Sequence, residues 1–350
     1  MEIEKIKIGD KYIGQGEPAF IVAEIGQNHN GDIKIAKALI DQSASDGVSA
    51  VKFCKRDIKS DLTKDKYNSP YLGANSFGNT YGEHREFLEL SREEHKELKD
   101  YAESKGLVYF ASACDLKSVD DMDSIGVHMF KIASRDLTNK FLLEYVAQKQ
   151  KPIFLSTGMS NLFEIEKAVG IIRKYHNKII LFQCTSEYPA KYEDINLNVL
   201  NSLRNKFSLN VGMSDHAPGI MVACAAVVMG ACAVEKHVTL DRSMKGTDHQ
   251  ASLDPPGMER LVTWIRGFEI AIGNGLKNMY GDEFLAKKKL ARSIVASKNL
   301  KAGEIIIADM LCAKTHTESG LSPLDDEKLL GKILNQDIEA DKLITEEHVK

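Results

Sequence analysis

Apolar and polar positions follow two rhythms along this 350-residue chain. Eight short runs rich in apolar, β-branched and aromatic residues recur: FIVAEI (20–25), AVKFC (50–54), LVYFAS (107–112), MFKIAS (129–134), PIFLST (152–157), KIILFQC (178–184), LNVGMS (209–214) and CAVEKHV (232–238). Near-continuous apolar runs of this length predict strands buried on both faces, as in parallel sheets. Between them lie segments of helical period, such as IKIAKALIDQSAS after Gly31 and SREEHKELKDYAESKG from Ser91, which predict crossover helices. Eight strand–helix units predict an α/β fold closed as a (β/α)8 TIM barrel rather than a doubly wound open sheet.

The ends of the chain read differently. The first eighteen residues suggest a small hairpin, placed to plug the bottom of the barrel. The stretch 55–89 is unusually long for a strand-to-helix connection, and long connections on that face usually serve function. From about Ala286 a charged linker, a short strand and a glycine turn appear (AKKKLARSIVASKNLKAGEII). The expected division is therefore 1–285, barrel with its hairpin, and 286–350, linker and a small β-rich module.

Composition narrows the function classes. A net charge of −4 gives no basic footprint for nucleic acid. No stretch has the length and apolarity of a signal peptide or a membrane span. The six cysteines are scattered without a CxxC pair, so reduced thiols in a cytoplasmic protein are expected, with neither disulfide framework nor zinc knuckle.

In a barrel the active site lies at the C-terminal strand ends. There the chain places Glu24, Lys52, Ser112, Lys131, Ser134, Ser156, Tyr188, Ser214, Asp215, His216, Glu235 and His237. Two histidines at neighbouring strand ends can converge on one divalent cation, and neutral imidazole suits Mn, Fe, Co or Zn. With no cysteine-rich set, an open catalytic site is expected rather than a closed structural one. Lysines inside apolar strands need anionic partners. Lys52 and Lys131 therefore form structural ion pairs, or face a bound carboxylate or phosphate with serine hydroxyls adding donors; a Schiff-base lysine is a further option. The loop MKGTDHQASLDPPG (244–257), with Asp248 and His249, either closes over substrate or is an ordinary turn. Asn28, His29 and Asn30 have the same two readings.

Taken together, AEIGQNHNGD, VKFCK, FKIASRD, LSTGM, QCTSEYP, GMSDH and EKHVTLDRSMKGTDHQASL resemble the sialic acid synthase family, in that family's order from about residue 20 to 255. ARSIVASKNLKAGEII resembles its C-terminal antifreeze-like (SAF) domain. The resemblance implies a metal-dependent condensation of phosphoenolpyruvate with an N-acetylmannosamine-type aldose, giving a sialic acid and phosphate. It assigns His216 and His237 to Mn2+ or another cation such as Mg2+ or Co2+, with Glu24 beside them as a catalytic residue. Lys52, Lys131, Ser134, Ser156 and Ser214 would hold phosphoenolpyruvate, Ser112 supporting its carboxylate; Tyr188, Glu235 and Asp248 would contact the sugar. A domain-swapped homodimer is implied as well.

Two departures bear on the sugar. Many bacterial members read VKFQ where this chain has VKFC, so Cys54 replaces a polar contact. AKTHTESG (313–320) lacks the arginine expected to reach the partner's sugar, leaving Lys314 or His316 as substitutes. FGNTYGEHREFLELS (77–91) resembles the animal-type branch, which uses the 6-phosphorylated sugar. Lys55, Arg56 and Arg85 could meet such a phosphate or could be solvated loop charges. A legionaminate- or pseudaminate-type synthase is a further alternative, as is a barrel synthase acting on a shorter sugar phosphate.

Overall fold

A computed structural model describes residues 3–350. The chain divides into two compact units, Met1–Gly273 and Asn274–Lys350. In the first, eight parallel strands close into a barrel: β3 (Phe20–Gly26), β4 (Ala50–Lys55), β5 (Val108–Ala113), β6 (Phe130–Ile132), β7 (Ile153–Ser156), β8 (Ile179–Cys184), β9 (Asn210–Asp215) and β10 (Ala233–His237), with β10 pairing back onto β3. All eight coincide with the predicted runs. The preceding hairpin, β1 (Ile6–Ile8) against β2 (Lys11–Ile13), is also present.

Side chains alternate across each strand, and the two sets have separate fates. Outward residues such as Ile21, Ala23, Val51, Phe53, Tyr109, Leu155 and Leu181 pack with the surrounding helices. Inward residues Phe20, Val22, Ala50, Phe110, Phe154, Ile180 and Phe182 form an inner core with Ile6, Ile8 and Ile13 of the hairpin, which plugs the bottom as predicted. Gly212 is part of this fit: a Cβ there would meet the Phe182 ring and the Ala233 carbonyl at 2.8 Å. One pleat further along each strand, the inward set turns polar. Apolar floor and polar layer thus come from the same alternation.

Local signals explain the helices. Asp32 caps Ile33–Ser45, and Ser91 with Glu94 forms a capping box on Arg92–Ser104. The long connection folds into the short helices Ile58–Asp61, Lys64–Asn68 and Tyr81–Phe87, the last with its own Thr80–Glu83 box.

In the second unit the expected charged linker contains a helix, Glu283–Leu290, with no buried residue. Beyond it, β11 (Arg292–Ala296) pairs antiparallel with β12 (Leu311–Thr315). Isolated bridges and 3-10 turns complete a small core around Ile294, Leu300, Ile306, Leu334 and Ile344.

Candidate active site

Register sets several members of the inward polar layer side by side. Glu24 pairs with Lys52, Ser112 with Lys131, Cys184 with Ser214, Ser214 with Glu235, and His237 with Glu24. At the centre stands an ionic floor. Lys52 Nζ lies 2.7 Å from Glu24 and 3.6 Å from Glu235, and donates to Ser112 Oγ at 3.1 Å. Lys131 Nζ donates to Glu235 at 2.9 Å and sits 4.3 Å above the Phe182 ring centroid. Ser214 Oγ donates to the other Glu235 oxygen at 3.0 Å. Both lysines are thus paired and face the cavity, so the two readings of them are not exclusive.

This arrangement separates the two carboxylates. Burial pushes Glu24 up to about 7, the Glu235 charge adding to it and Lys52 opposing. Glu235 is equally buried, but Lys131 and Lys52 outweigh the burial and pull it down to about 2. One acid can therefore exchange a proton near neutral pH while its neighbour stays ionised, the pattern that assigns acid–base roles.

The histidines stand at the ends of β9 and β10, their ring centroids 5.7 Å apart. His216 Nδ1 lies 2.8 Å from the Thr185 carbonyl, which fixes the proton there and leaves the Nε2 lone pair toward Tyr188, whose hydroxyl donates at 3.0 Å. Tyr188 stacks on His216 at 4.0 Å. Buried His237 Nδ1 has no hydrogen-bond partner, and burial, opposed by Asp248, depresses its pKa to about 4. His237 thus keeps an unbonded nitrogen, while the His216 Nε2 is held by Tyr188. Among the described residues no group of three or more His, Cys, Asp or Glu could hold a metal ion; a cation here would be open to water and substrate.

Beside the floor, Gly158 N donates to Ser134 Oγ at 3.1 Å. A Cβ on Gly158 would come within 2.8 Å of that hydroxyl, so only glycine lets backbone N–H and serines gather closely. The residues to which the family resemblance gives a role line one cavity of about 410 Å3: Glu24, Lys52, Ser112, Lys131, Ser134, Ser156, Tyr188, Ser214, His216, Glu235, His237 and Asp248.

Comparison with known proteins now bears on this geometry. The NeuB family model matches residues 39–277, and the SAF domain model matches 291–350. The chain belongs to the NeuB family. It is similar to N-acetylneuraminate-9-phosphate synthase of Homo sapiens, 36% identical over 97% of this chain and 95% of that protein. It also resembles N,N'-diacetyllegionaminic acid synthase of Campylobacter jejuni, 39% identical over 93% of this chain and 98% of the other. Among solved structures, N-acetylneuraminic acid (sialic acid) synthetase from Leptospira borgpetersenii, in complex with citrate, superposes with a TM-score of 0.71 at 32% identity, covering 82% of this chain and 97% of that one. The chain is accordingly an enzyme of the sialic acid synthase type.

Several residues of this NeuB barrel have other places than expected. Asp215, read as flanking the histidines, points outward, pairing with Lys236 at 2.8 Å and accepting from Ala217 N. His249 is buried, bonded to Thr239 at 2.7 Å, and Asn28 holds the Val238 carbonyl and Ser252; both tie loops together. Lys55 is spent on the carbonyls of Arg56 and Leu90. Arg56 and Arg85 do line the cavity, and so do Ser186, at the end of the sixth barrel strand, and Arg135, Tyr81 and Gln27, which sequence reasoning did not select. Of its two readings from the sequence, Arg56 follows the one that faces the cavity, since it continues the inward parity of Lys52 and Cys54. Cys54 lies on the wall, its Sγ 4.0 Å from Glu24.

Proposed function

We propose that this chain is a nonulosonate synthase that condenses phosphoenolpyruvate with the open-chain aldehyde of an N-acetylmannosamine-type sugar, releasing phosphate. The observation that carries this reading is that one cavity joins the Lys52–Lys131 floor, with its serine hydroxyls, to the imidazoles of His216 and His237, the latter with a buried nitrogen that has no partner. A doubly anionic three-carbon substrate suits the first, and an aldehyde oxygen the second. Legionaminate- and pseudaminate-type sugars belong to the same substrate class.

Lys131 and Lys52, with Ser134, Ser156 and Ser214, would neutralise and orient phosphoenolpyruvate, Ser112 supporting its carboxylate. C3 of the enol attacks the aldehyde carbon; water adds at C2, and phosphate leaves as the tetrahedral centre collapses. Glu24 would move a proton at the aldehyde-derived oxygen or the attacking water. Tyr188, Glu235 and Asp248 bound the space left for the sugar. The orphaned His237 nitrogen and the oriented His216 lone pair fit a divalent cation such as Mn2+, Mg2+ or Co2+. When bound, such an ion supplies Lewis-acid polarisation of the aldehyde.

The same reading includes a domain-swapped homodimer, with each SAF domain serving the partner's barrel. Lys314, one possible substitute for the missing arginine, is tied to Asp341, which leaves His316 as the freer of the two.

Phosphate release tests the proposal. Incubation with phosphoenolpyruvate and an N-acylated mannosamine should release phosphate with Mn2+ and stop on metal stripping. Turnover that survives thorough stripping would remove the metal role. No turnover with any N-acylated mannosamine, phosphorylated or not, or with bacillosamine-type sugars would remove the substrate class.

A further inference from the structure

Strand alternation carries the site beyond its floor. Lys52, Cys54 and Arg56 follow one another on the inward side of β4 and its continuation. At about 3.3 Å per residue, Arg56 stands roughly 13 Å beyond Lys52 along the strand direction. There it lines the same cavity while only 9% exposed. Its guanidinium makes no hydrogen bond, and Nε and Nη1 are buried without partners. Asp61 and Glu89 lie 3.6 and 3.7 Å away, close enough to balance charge but not to accept. Leaving such donors unbonded in a buried place is costly.

Two more arginines share this rim. Arg85 bonds to Gln27 through Nη1, and its Nε is also buried without a partner. Arg135 reaches Asp61 and Asp136, both at 3.3 Å. Locally, Lys55, Arg56, Arg85 and Arg135 face Asp61, Glu89 and Asp136, an excess of one positive charge together with unused donors. The floor differs, because its ammonium groups donate at hydrogen-bond distance to carboxylate or hydroxyl oxygens.

We propose that Arg56, with Arg85 and Arg135, forms a second anion subsite that receives a phosphate monoester on the far end of the sugar, so that the preferred acceptor is the phosphorylated aldose. This rests on the synthase reading above. Relatives named for phosphorylated and for unphosphorylated products are both present, so family membership does not make the choice. A planar guanidinium matches phosphate oxygens two at a time, and several arginines around one pocket suit a dianion. An open-chain aldose with its aldehyde at the histidines directs its last carbon away from the floor.

Steady-state kinetics at saturating phosphoenolpyruvate, with N-acetylmannosamine and its 6-phosphate, provide the test. The wild type should favour the phosphate ester in kcat/KM. Arg56→Gln should cut that preference by about 10- to 100-fold, mainly through KM for the ester, as expected for lost hydrogen bonds to a charged group. KM for phosphoenolpyruvate should stay within about twofold. Arg85→Gln, on a partly exposed side chain, should act in the same direction and serves if Arg56→Gln does not fold. Preference for the free sugar in the wild type, or equal losses on both sugars, would overturn the subsite and leave the synthase reading intact. A rise confined to KM for phosphoenolpyruvate would overturn it too, by assigning Arg56 to that substrate. Turnover of neither sugar would overturn both.

Discussion

His237 is the sharpest test of what single side chains do in this site. Its Nδ1 is buried without a partner, and its pKa is too low for the ring to be a cation at neutral pH. A neutral, unbonded imidazole beside a second one is a ligand or an electrophile's neighbour rather than a packing residue. His237→Ala should therefore abolish phosphate release while leaving the circular dichroism melt near that of the wild type; full activity would exclude it from the site. The floor makes a different prediction. Replacing Lys131 by Met leaves buried Glu235 with only the more distant Lys52 and the Ser214 hydroxyl, which should cost up to about 3–5 kcal/mol in urea unfolding. Lys131→Met with Glu235→Gln should recover part of that loss, because the uncompensated charge goes too. Additive losses would mean that the pair is not coupled. At this scale residue types were readable from the sequence, but partners were not. Asp215 seemed to flank the histidines, yet Ser214 and Glu235 point inward, so the pleat sends Asp215 and Lys236 outward together. Applying that parity to Lys55 and Arg56 would have separated them as well.

The eight barrel strands were legible because each couples an apolar inner run to a polar residue one pleat further on. The plugging hairpin was legible from its alternation, and its role can be measured. Ile8 and Ile13 are fully buried against the barrel's inner core, so Ile13→Ala should cost about 2–5 kcal/mol by urea unfolding. A loss below about 1 kcal/mol would mean that the plug is not integral to the barrel. The short helices of the long connection were not legible, since each rests on a local cap such as Asp57, Thr63 or Thr80 rather than on an apolar stripe. The helix Glu283–Leu290 left no periodic trace because it buries nothing.

For the whole molecule, buried neutral groups set the acid limit. His29 is buried, and desolvation lowers its pKa from 6.5 to about 4. Between those values the unfolded chain binds a proton that the folded chain does not, so stability falls as pH drops from 6.5 toward 4. His29 alone can account for up to about 3 kcal/mol of that loss. Unfolding midpoints at pH 7 and pH 5 should show the fall, and His29→Asn should shrink it; an unchanged pH slope would contradict the burial argument. Assembly is tested by mass in solution, where the homodimer predicts twice the 38.9 kDa of one chain. A single-chain mass at working concentration would contradict it. Family and fold were legible at this scale, because ordered motifs span nearly the whole chain. The sugar was not, since its wall includes a long connection whose side chains only the fold brings together.

If one cavity joins phosphoenolpyruvate to an aldehyde, the products will report it. The most direct measurement is mass spectrometry of the products beside a phosphate assay, with phosphoenolpyruvate and the N-acylated mannosamines supplied singly and together. Phosphate is expected only when both are present, in equal amount to a nine-carbon 2-keto acid or its phosphate ester. Phosphate released without the sugar, or sugar consumed without a carbon–carbon bond, would contradict it.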